Sequence, residues 1–346
     1  MKEAILDLET DGLLDTVTKV HCLVYKAGDL ITVATTEEQI LKALDVLQTY
    51  QIIGHNVLGF DLEVLKRLYG FEVPVEQVTD TLILSRLIHA DLRTEDSKVK
   101  RLEPKYFGSH SLKAWGFRLE NHKGDYGSTD NAFEELSQSM IDYCIQDVEL
   151  TDILWKNFSL RLPDPNSIWL EHQIANICNR QEYYGIAFDE AKAVELYTSL
   201  AGKRDVLEGE LKEIFGAWII NEGTRRNGLY SKVKIIEFNP NSRQHIAKRL
   251  KELRGWKPKE FTPTGEAKVD ETILSKLKFP EAQKMTEYLM LNKRISQLAE
   301  GDQAWLKLVK KGRLHGRVNT MGASTSRCSH STPNLAQVPN SNAPFG

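Results

Sequence analysis

Cysteine is scarce in this chain, and its spacing excludes several kinds of protein. The cysteines, Cys22, Cys144, Cys178 and Cys328, are scattered, and no two of them form a CxxC pair. This pattern argues against a structural zinc site and against a disulfide framework, and it favours a reducing compartment. No apolar run approaches the length of a membrane span, and the N-terminus enters a strand-like segment without a signal-peptide pattern. We therefore expect a soluble intracellular protein.

A large excess of charge of either sign is also missing. The net charge is only −3, so any surface that binds nucleic acid must be a local patch. One candidate patch lies between residues 225 and 259, where Glu237 and Glu252 are the only acids among many lysines and arginines. This local excess predicts contact with a phosphate backbone, although a solvated helix face is an alternative for the part IAKRLKEL.

The order of the expected elements indicates two kinds of domain. A chain of 346 residues, of which 41% are hydrophobic, can bury more than one core. Short β-rich segments at 3–8, 21–26, 29–34 and 52–54 are followed by helical patterns, and 93–106 is expected to be an exposed loop. This order predicts an α/β fold in which flanking helices cover a mixed sheet, as in the ribonuclease H-like architecture. From residue 164 onward the patterns are mainly helical, which predicts an α-rich second domain.

Two acidic residues lie close together in the first expected strand, within the motif ILDLETDG. Side chains two positions apart on a strand share a face, so Asp7 and Glu9 project together. Such a pair inside a sheet is costly unless it binds metal or cations. An ordinary turn is the alternative interpretation, because Thr10, Asp11 and Gly12 follow at once.

Two further motifs place acidic or phenolic side chains on helices. Asp61 opens a helix after a buried strand that delivers His55 and Asn56 into a loop, although helix capping alone would also explain a carboxylate there. Tyr143 and Asp147, in YCIQD, are four residues apart and so share a helix face. The phenol could orient a water molecule, although a half-buried tyrosine beside a surface aspartate is the alternative. Together, the four carboxylates are typical of a cage that holds two divalent cations roughly 3.5–4 Å apart for phosphodiester hydrolysis.

These motifs carry a resemblance to a known family. ILDLETDG, GHNVLGFDLEVL, DTLILSRLIHADL, FGSHSLKAWGFRL and YCIQDVELT resemble the DEDD-type 3′→5′ exonucleases. EYYGIAFDEAKA, FNPNSRQHIAKRL, GRLHGRVN and TPNLAQVPN are similar to the N-terminal portion of bacteriophage family A DNA polymerases. The resemblance implies an exonuclease domain at 1–160, a helical thumb-like DNA-binding domain at 161–311 and the start of a palm region at 312–346. It also implies a cytoplasmic location in the host cell.

The same resemblance assigns roles to individual residues. It implies that Asp7 bridges two Mg²⁺ or Mn²⁺ ions, that Glu9 and Asp147 complete the first metal site, and that Asp61 supports the second. Tyr143 would align the attacking water, and the product would be a nucleoside monophosphate released from a 3′ end. The expected DNA contacts are Asn56, Arg225, Arg226, Arg243, Lys248, Arg249 and Arg327.

The resemblance also implies partners and departures from the family pattern. The substrates would be a single-stranded DNA 3′ end and primer-template DNA. Because the polymerase motifs downstream of PNLAQVP are missing, we expect a separate C-terminal chain with palm and fingers, although a truncated or intein-interrupted product is an alternative. The connection at 218–238 is short, which argues against thioredoxin binding. Ser326 stands where the family pattern has glycine, so this position loses glycine's backbone freedom.

Three functions are compatible with these motifs. The first is a proofreading exonuclease in DNA replication, which the complete carboxylate set favours. The second is a DNA-clamping and assembly subunit of a split polymerase, with weak nuclease activity. The third is an RNA-trimming exonuclease resembling ribonuclease D, against which the thumb-like region argues.

Overall fold

The chain forms two compact units. The structure is a computed structural model, and it describes residues 1–98, 102–121, 126, 132–224 and 230–340. Unit 1 consists of Met1–Tyr184 and Gly316–Ser331, and unit 2 consists of Gly185–His315 and the residues from Thr332 onward. The division between the units thus falls after residue 184, whereas the sequence placed a domain boundary after residue 160.

A five-stranded mixed sheet forms the centre of unit 1. Its strands are β1 (Lys2–Thr10), β2 (Val20–Ala27), β3 (Leu30–Ala34), β4 (Tyr50–Gly54) and β5 (Val78–Asp80). Their order in the sheet is β3-β2-β1-β4-β5. The pairs β1–β2 and β2–β3 are antiparallel, whereas β1–β4 and β4–β5 are parallel. The ribonuclease H-like mixed sheet predicted from the sequence is confirmed, and β1, which carries Asp7 and Glu9, is its central strand.

Among the described residues of unit 1, α-helices lie between and after these strands. They are α1 (Glu37–Leu47), α2 (Asp61–Tyr69), α3 (Thr81–Ile88), α4 (Leu92–Ser97), α5 (Leu112–Arg118), α6 (Gln138–Ser159) and α7 (Pro165–Tyr184). The starts of α1 and α6 follow from local chemistry, because the hydroxyls of Thr36 and Ser137 accept hydrogen bonds from free backbone N–H groups of the first turn. The helix α4 corrects the expectation of an exposed loop at 93–106, since Leu92 and Asp96 are buried.

Each face of the sheet packs in a different apolar cluster. This packing determines the direction in which the side chains of β1 point. Leu6 and Leu8 pack in a cluster with residues of α1 and α2. Ile5 packs on the opposite face with Met140 and Cys144 of α6. Because strand side chains alternate, Asp7 and Glu9 share the face of Ile5. Burial of the apolar residues of β1 therefore directs both carboxylates toward the α6 side of the sheet.

Unit 2 is mainly helical, as the sequence predicts. Its elements are β6 (Ile186–Ala187), α8 (Glu190–Phe215), β7 (Trp218–Thr224), β8 (Tyr230–Ile236), α9 (Arg243–Arg254), α10 (Glu271–Leu274), α11 (Pro280–Ile295), α12 (Trp305–Leu308) and β9 (Arg313–Leu314). The long helices α8 and α11 pack together, and Phe215, Leu250 and Tyr288 are fully buried in the core that they share with α9. A π-helical turn, Ser296–Glu300, extends α11.

The hairpin of β7 and β8 was not predicted. Trp218 pairs with Ile236 and Ile219 with Ile235, in a region that the sequence analysis treated only as a connection. Ile219 and Ile235 are 63% and 69% exposed, so their apolar character does not mark a core. After unit 2 the chain returns to unit 1, where β10 (Arg317–Asn319) pairs with β11 (Ser329–Ser331) and packs against α7. None of the described helices combines the length and the apolarity that a membrane crossing requires.

Candidate metal centre

The side chains of Asp7, Glu9 and Cys144 converge on one point at the α6 side of the sheet. One ligand atom from each lies within 4.8 Å of the other two, a spacing that could hold a metal ion. The Cys144 thiol donates a hydrogen bond of 3.4 Å to Oδ2 of Asp7. Glu9 is buried, with 8% of its surface exposed, and it lies opposite Cys22 in the register of β1 and β2. The predicted pairing of the two carboxylates on one strand face is what the structure shows.

Asp61 is the third carboxylate of this region. It is the first residue of α2, and the N-cap position is taken by Phe60, so helix capping does not explain its presence. Only 5% of Asp61 is exposed. Burial raises the pKa of its carboxyl well above the usual value, and the negative charges of Asp7, Asp80 and Glu9 raise it further. A buried carboxyl repelled by three others is a costly arrangement that a bound cation would relieve.

Tyr143 and Asp147 reach the region through α6, which packs against β1 and β2. Tyr143 directly precedes Cys144 and is half-buried, with its ring centroid 5.5 Å from that of Tyr126. Asp147 is buried, with 6% exposed, and lies one helical turn after Cys144. The two residues therefore occupy the helix that delivers the thiol to Asp7.

The donor set of this centre fits a hard divalent cation. Asp7 and Glu9 supply the carboxylate oxygens that Mg²⁺ prefers, and Mn²⁺ accepts the same ligands. Asp7 and Glu9 would hold an ion directly, with Asp147 and Asp61 as the further ligands that the motifs predict. Cys144 was not predicted as part of this centre, although the residue stands between Tyr143 and Asp147 in the YCIQD motif.

The loop that joins β4 to α2 delivers Asp61. Within it, Asn56 has a φ of +64°, in the left-handed region that a side chain adopts only when its surroundings enforce it. Its carbonyl accepts hydrogen bonds from the N–H groups of Gly59 and Phe60. A Cβ at Gly59 would lie 2.5 Å from Oδ1 of Asn56, so glycine is required for this close approach. Asn56, predicted as a DNA contact, is thus part of a tight turn that precedes Asp61.

The other predicted DNA contacts differ in their exposure and in the partners that they already have. Arg225 and Arg226 lie outside the described residues. Arg243 begins α9 and is exposed, as is Arg327, which follows Ser326 at a φ of +58°. The strained backbone at Ser326 agrees with the expectation that glycine suits this position better. Lys248 forms an ion pair of 2.7 Å with Glu252 and is 43% exposed at its side chain.

Arg249 has a structural role in unit 2. Its Nε donates a hydrogen bond of 2.6 Å to the carbonyl of Phe215, and its Nη2 donates to the same oxygen. Its Nη1 forms an ion pair of 3.0 Å with Glu252, and its guanidinium carbon lies 5.6 Å from the ring centroid of Trp218. The side chain is only 14% exposed. Arg249 therefore holds the C-terminal end of α8, which leaves little of it for a phosphate.

Replacing Arg249 by Ala is expected to destabilise unit 2. Because charge-assisted hydrogen bonds to a half-buried carbonyl are lost, the free energy of unfolding should fall by about 2 kcal/mol. Lys248→Ala is the matched control, since it removes an adjacent positive charge whose exposed ion pair contributes roughly 0–1 kcal/mol. Urea denaturation of the two variants measures the difference. Equal destabilisation by both substitutions would contradict the structural role of Arg249.

Comparison with known proteins shows that the chain is similar to DNA polymerases. Residues 223–344 match the model of the family "DNA polymerase family A". The chain is 32% identical to the "DNA-directed DNA polymerase" of Escherichia phage T7 over 447 aligned positions, which include 99% of this chain and 63% of that protein. Its similarity to the enzyme of the same name from Enterobacteria phage T3 has the same extent, again 32% over 447 positions. The chain thus spans 63% of the length of these relatives. The resemblance indicated by the motifs is confirmed, since the chain is similar over 99% of its own length to phage DNA-directed DNA polymerases and over residues 223–344 to DNA polymerase family A.

Proposed function

We propose that the chain is a metal-dependent 3′→5′ exonuclease that removes nucleotides from the 3′ ends of DNA, as the proofreading part of a DNA-directed DNA polymerase. One observation carries the proposal. Asp7 and Glu9 converge on the central strand of a ribonuclease H-like sheet, and the buried carboxyl of Asp61 lies close enough to be repelled by both. The similarity to phage DNA polymerases favours DNA as the substrate.

The carboxylates would hold two Mg²⁺ or Mn²⁺ ions. The resemblance assigns to Asp7 the contact with both ions, and this role agrees with its place within 4.8 Å of Glu9 and with the effect of its charge on Asp61. When bound, such ions lower the pKa of water and neutralise the charge that develops at phosphorus. No protein nucleophile is needed for this reaction. The work of the protein is to fix the carboxylates, and the burial of Glu9, Asp61 and Asp147 excludes bulk water from around them.

Tyr143 is the residue that would orient the attacking water. Tyr143 belongs to α6, the helix that packs against β1 and β2 and carries Cys144 to Asp7. A phenol hydroxyl can donate one hydrogen bond and accept another, so it can fix the direction of a water molecule.

Each unit carries basic side chains that are suited to DNA. Arg243 and Arg327 present exposed guanidinium groups, and Lys248 presents a partly exposed ammonium group, all of which are suited to phosphate oxygens. The alternative function, a DNA-clamping assembly subunit with weak nuclease activity, depends on the same basic residues.

The proposal is tested on 5′-labelled single-stranded DNA, incubated with the purified chain in Mg²⁺, in Mn²⁺ and in EDTA. We expect a ladder of products shortened from the 3′ end in either metal and none in EDTA, because the carboxylates cannot act without the ions. A matched RNA strand is the control for substrate class. Preferential trimming of RNA would replace the proposal by the RNA-trimming function, and binding of DNA without shortening would favour the assembly function.

A further inference from the structure

A second buried aspartate lies behind the loop that delivers Asp61. Asp80 ends β5, and only 2% of it is exposed. Its Oδ1 accepts hydrogen bonds of 2.9 Å from the backbone N–H groups of Asn56 and Leu82. Its Oδ2 accepts one of 3.1 Å from the N–H of Leu58. One carboxylate therefore binds the loop at two points and also caps α3.

The loop needs such an anchor because its backbone is not in a relaxed conformation. Asn56 is held at a φ of +64°, which costs free energy unless the surrounding bonds enforce it. The two N–H groups that Asp80 binds flank Val57, and the N–H of Leu62 in turn donates to the carbonyl of Val57. Asp61 is the neighbour of Leu62. The chain of hydrogen bonds thus runs from Asp80 through the loop to the first turn of α2.

Asp80 is itself held by a histidine of α7. The N–H of Asp80 donates a hydrogen bond of 2.8 Å to Nε2 of His172, which must therefore be unprotonated at that nitrogen. Nδ1 of His172 carries the proton and donates a bond of 2.8 Å to the carbonyl of Ile168. His172 is buried, with 2% exposed. Burial lowers the pKa of its imidazole, which agrees with the neutral form that these two bonds require.

We propose that Asp80 is a positioning residue of the metal centre, whose carboxylate fixes the loop before Asp61, and that His172 fixes Asp80 in turn. Neither residue contacts the reacting atoms. Their effect on the centre is to keep the Asp61 carboxylate where a cation can bind it together with Asp7. The inference rests on the proposed function, because a positioned metal centre matters for catalysis only if the chain is a nuclease. Its test measures cation binding and does not depend on hydrolysis.

The test follows the unfolding temperature of unit 1 as Mn²⁺ is added. The measured quantity is the Mn²⁺ midpoint, the concentration that gives half of the maximal shift in unfolding temperature. Asp80→Asn keeps Oδ1 as an acceptor but turns an NH₂ group toward the N–H of Leu58, so the loop loses a bond. We expect this midpoint to rise roughly 10–100-fold, the usual cost of losing a partner that orients a metal ligand. Asp96→Asn is the matched control, because Asp96 is an equally buried aspartate of unit 1 that binds Arg118 and the N–H of Gly108. The Asp96→Asn substitution should lower the unfolding temperature and leave the Mn²⁺ midpoint unchanged.

Two variants of His172 keep the inference falsifiable if Asp80→Asn does not fold. His172→Leu removes the acceptor for the N–H of Asp80 and should raise the Mn²⁺ midpoint by roughly 10-fold. His172→Gln offers an amide oxygen in its place and should restore a midpoint near that of the unchanged chain. An unchanged midpoint in both Asp80→Asn and His172→Leu would overturn the inference. It would equally be overturned if His172→Gln failed to differ from His172→Leu.

The outcome separates this inference from the proposed function. If the unchanged chain binds Mn²⁺ but does not shorten DNA, the proposed function fails while the Mn²⁺ midpoints still decide the role of Asp80. If it shortens DNA and Asp80→Asn binds Mn²⁺ normally, only the positioning role fails. If it binds no Mn²⁺ at all, there is no metal centre to position, and both are overturned.

Discussion

Replacing Asp7 by Ala is expected to abolish metal-dependent shortening of DNA while the fold stays intact. Asp7 lies with Glu9 and Cys144 within 4.8 Å, and its charge also acts on Asp61, so its loss affects every part of the centre. We expect the rate to fall by at least 10²–10³-fold, on the order of the loss when a main electrostatic stabiliser of a transition state is removed. The rate is measured with the 5′-labelled single-stranded DNA and saturating Mg²⁺.

A control on the same strand makes this result specific. Glu3 lies on the same face of β1 as Asp7, because the two positions are four residues apart on the strand. Its carboxylate accepts a hydrogen bond of 3.1 Å from Nε1 of Trp155. Glu3→Ala should leave the hydrolysis rate within about a factor of two of the original, because an exposed hydrogen bond remote from the centre contributes little. Circular dichroism must show the same folded signal for both variants. Unchanged hydrolysis by folded Asp7→Ala would mean that the carboxylate cage has been wrongly assigned.

Replacing Asp61 by Asn should have the opposite effects on stability and on function. Asp61 is almost fully buried and is repelled by Asp7, Glu9 and Asp80, so its negative charge destabilises the metal-free fold. Removal of that charge is expected to raise the free energy of unfolding of the metal-free chain, because the repulsion by the neighbouring carboxylates is lost. In a unit of this size the unfolding temperature should rise by roughly 2–4 °C per kcal/mol.

The same substitution should weaken the response to metal. Thermal unfolding in EDTA and in Mn²⁺ gives both quantities, and we expect a smaller Mn²⁺-dependent shift for Asp61→Asn than for the unchanged chain. Glu63→Gln, on the same helix, is the matched control and should alter neither value, because Glu63 is only half-buried. If Asp61→Asn lowered the unfolding temperature in EDTA, the carboxyl would be stabilising, and the description of a strained site awaiting a cation would be wrong.

The parts of the fold that the sequence predicts are those set by local patterns. The β-rich segment at 3–8 predicts β1, and apolar residues at helical spacing are the local signal for α1. The start of the long helix α8 is local as well, because the side chain of Asp189 accepts a hydrogen bond from the N–H of Lys192. In each case the residues that decide the element lie within a few positions of one another.

The parts that the sequence does not predict depend on distant contacts. His172 and Asp80 are 92 positions apart, and nothing in either local sequence indicates their hydrogen bond. The thiol of Cys144 and Asp7 are 137 positions apart. The place of α7 in unit 1 was missed for the same reason, because its helical pattern does not reveal that Ala175 packs with the core of the sheet. Burial and partner choice at such positions are properties of the folded chain.

The pairing of β6 with β9 has a consequence for how the chain can be divided. Ile186 lies opposite Leu314 in that ladder, so the chain enters and leaves the 185–315 segment at neighbouring points. The segment is in effect a module inserted into a single parent domain, an arrangement that inserted domains commonly use because their ends lie close together. A short linker from Tyr184 to Gly316 could therefore replace it. Ending the chain after α6 or α7 would instead remove Arg317, which pairs with Glu182 of α7 at 3.6 Å, along with the rest of β10. Unit 1 is thus built from a discontinuous stretch of sequence.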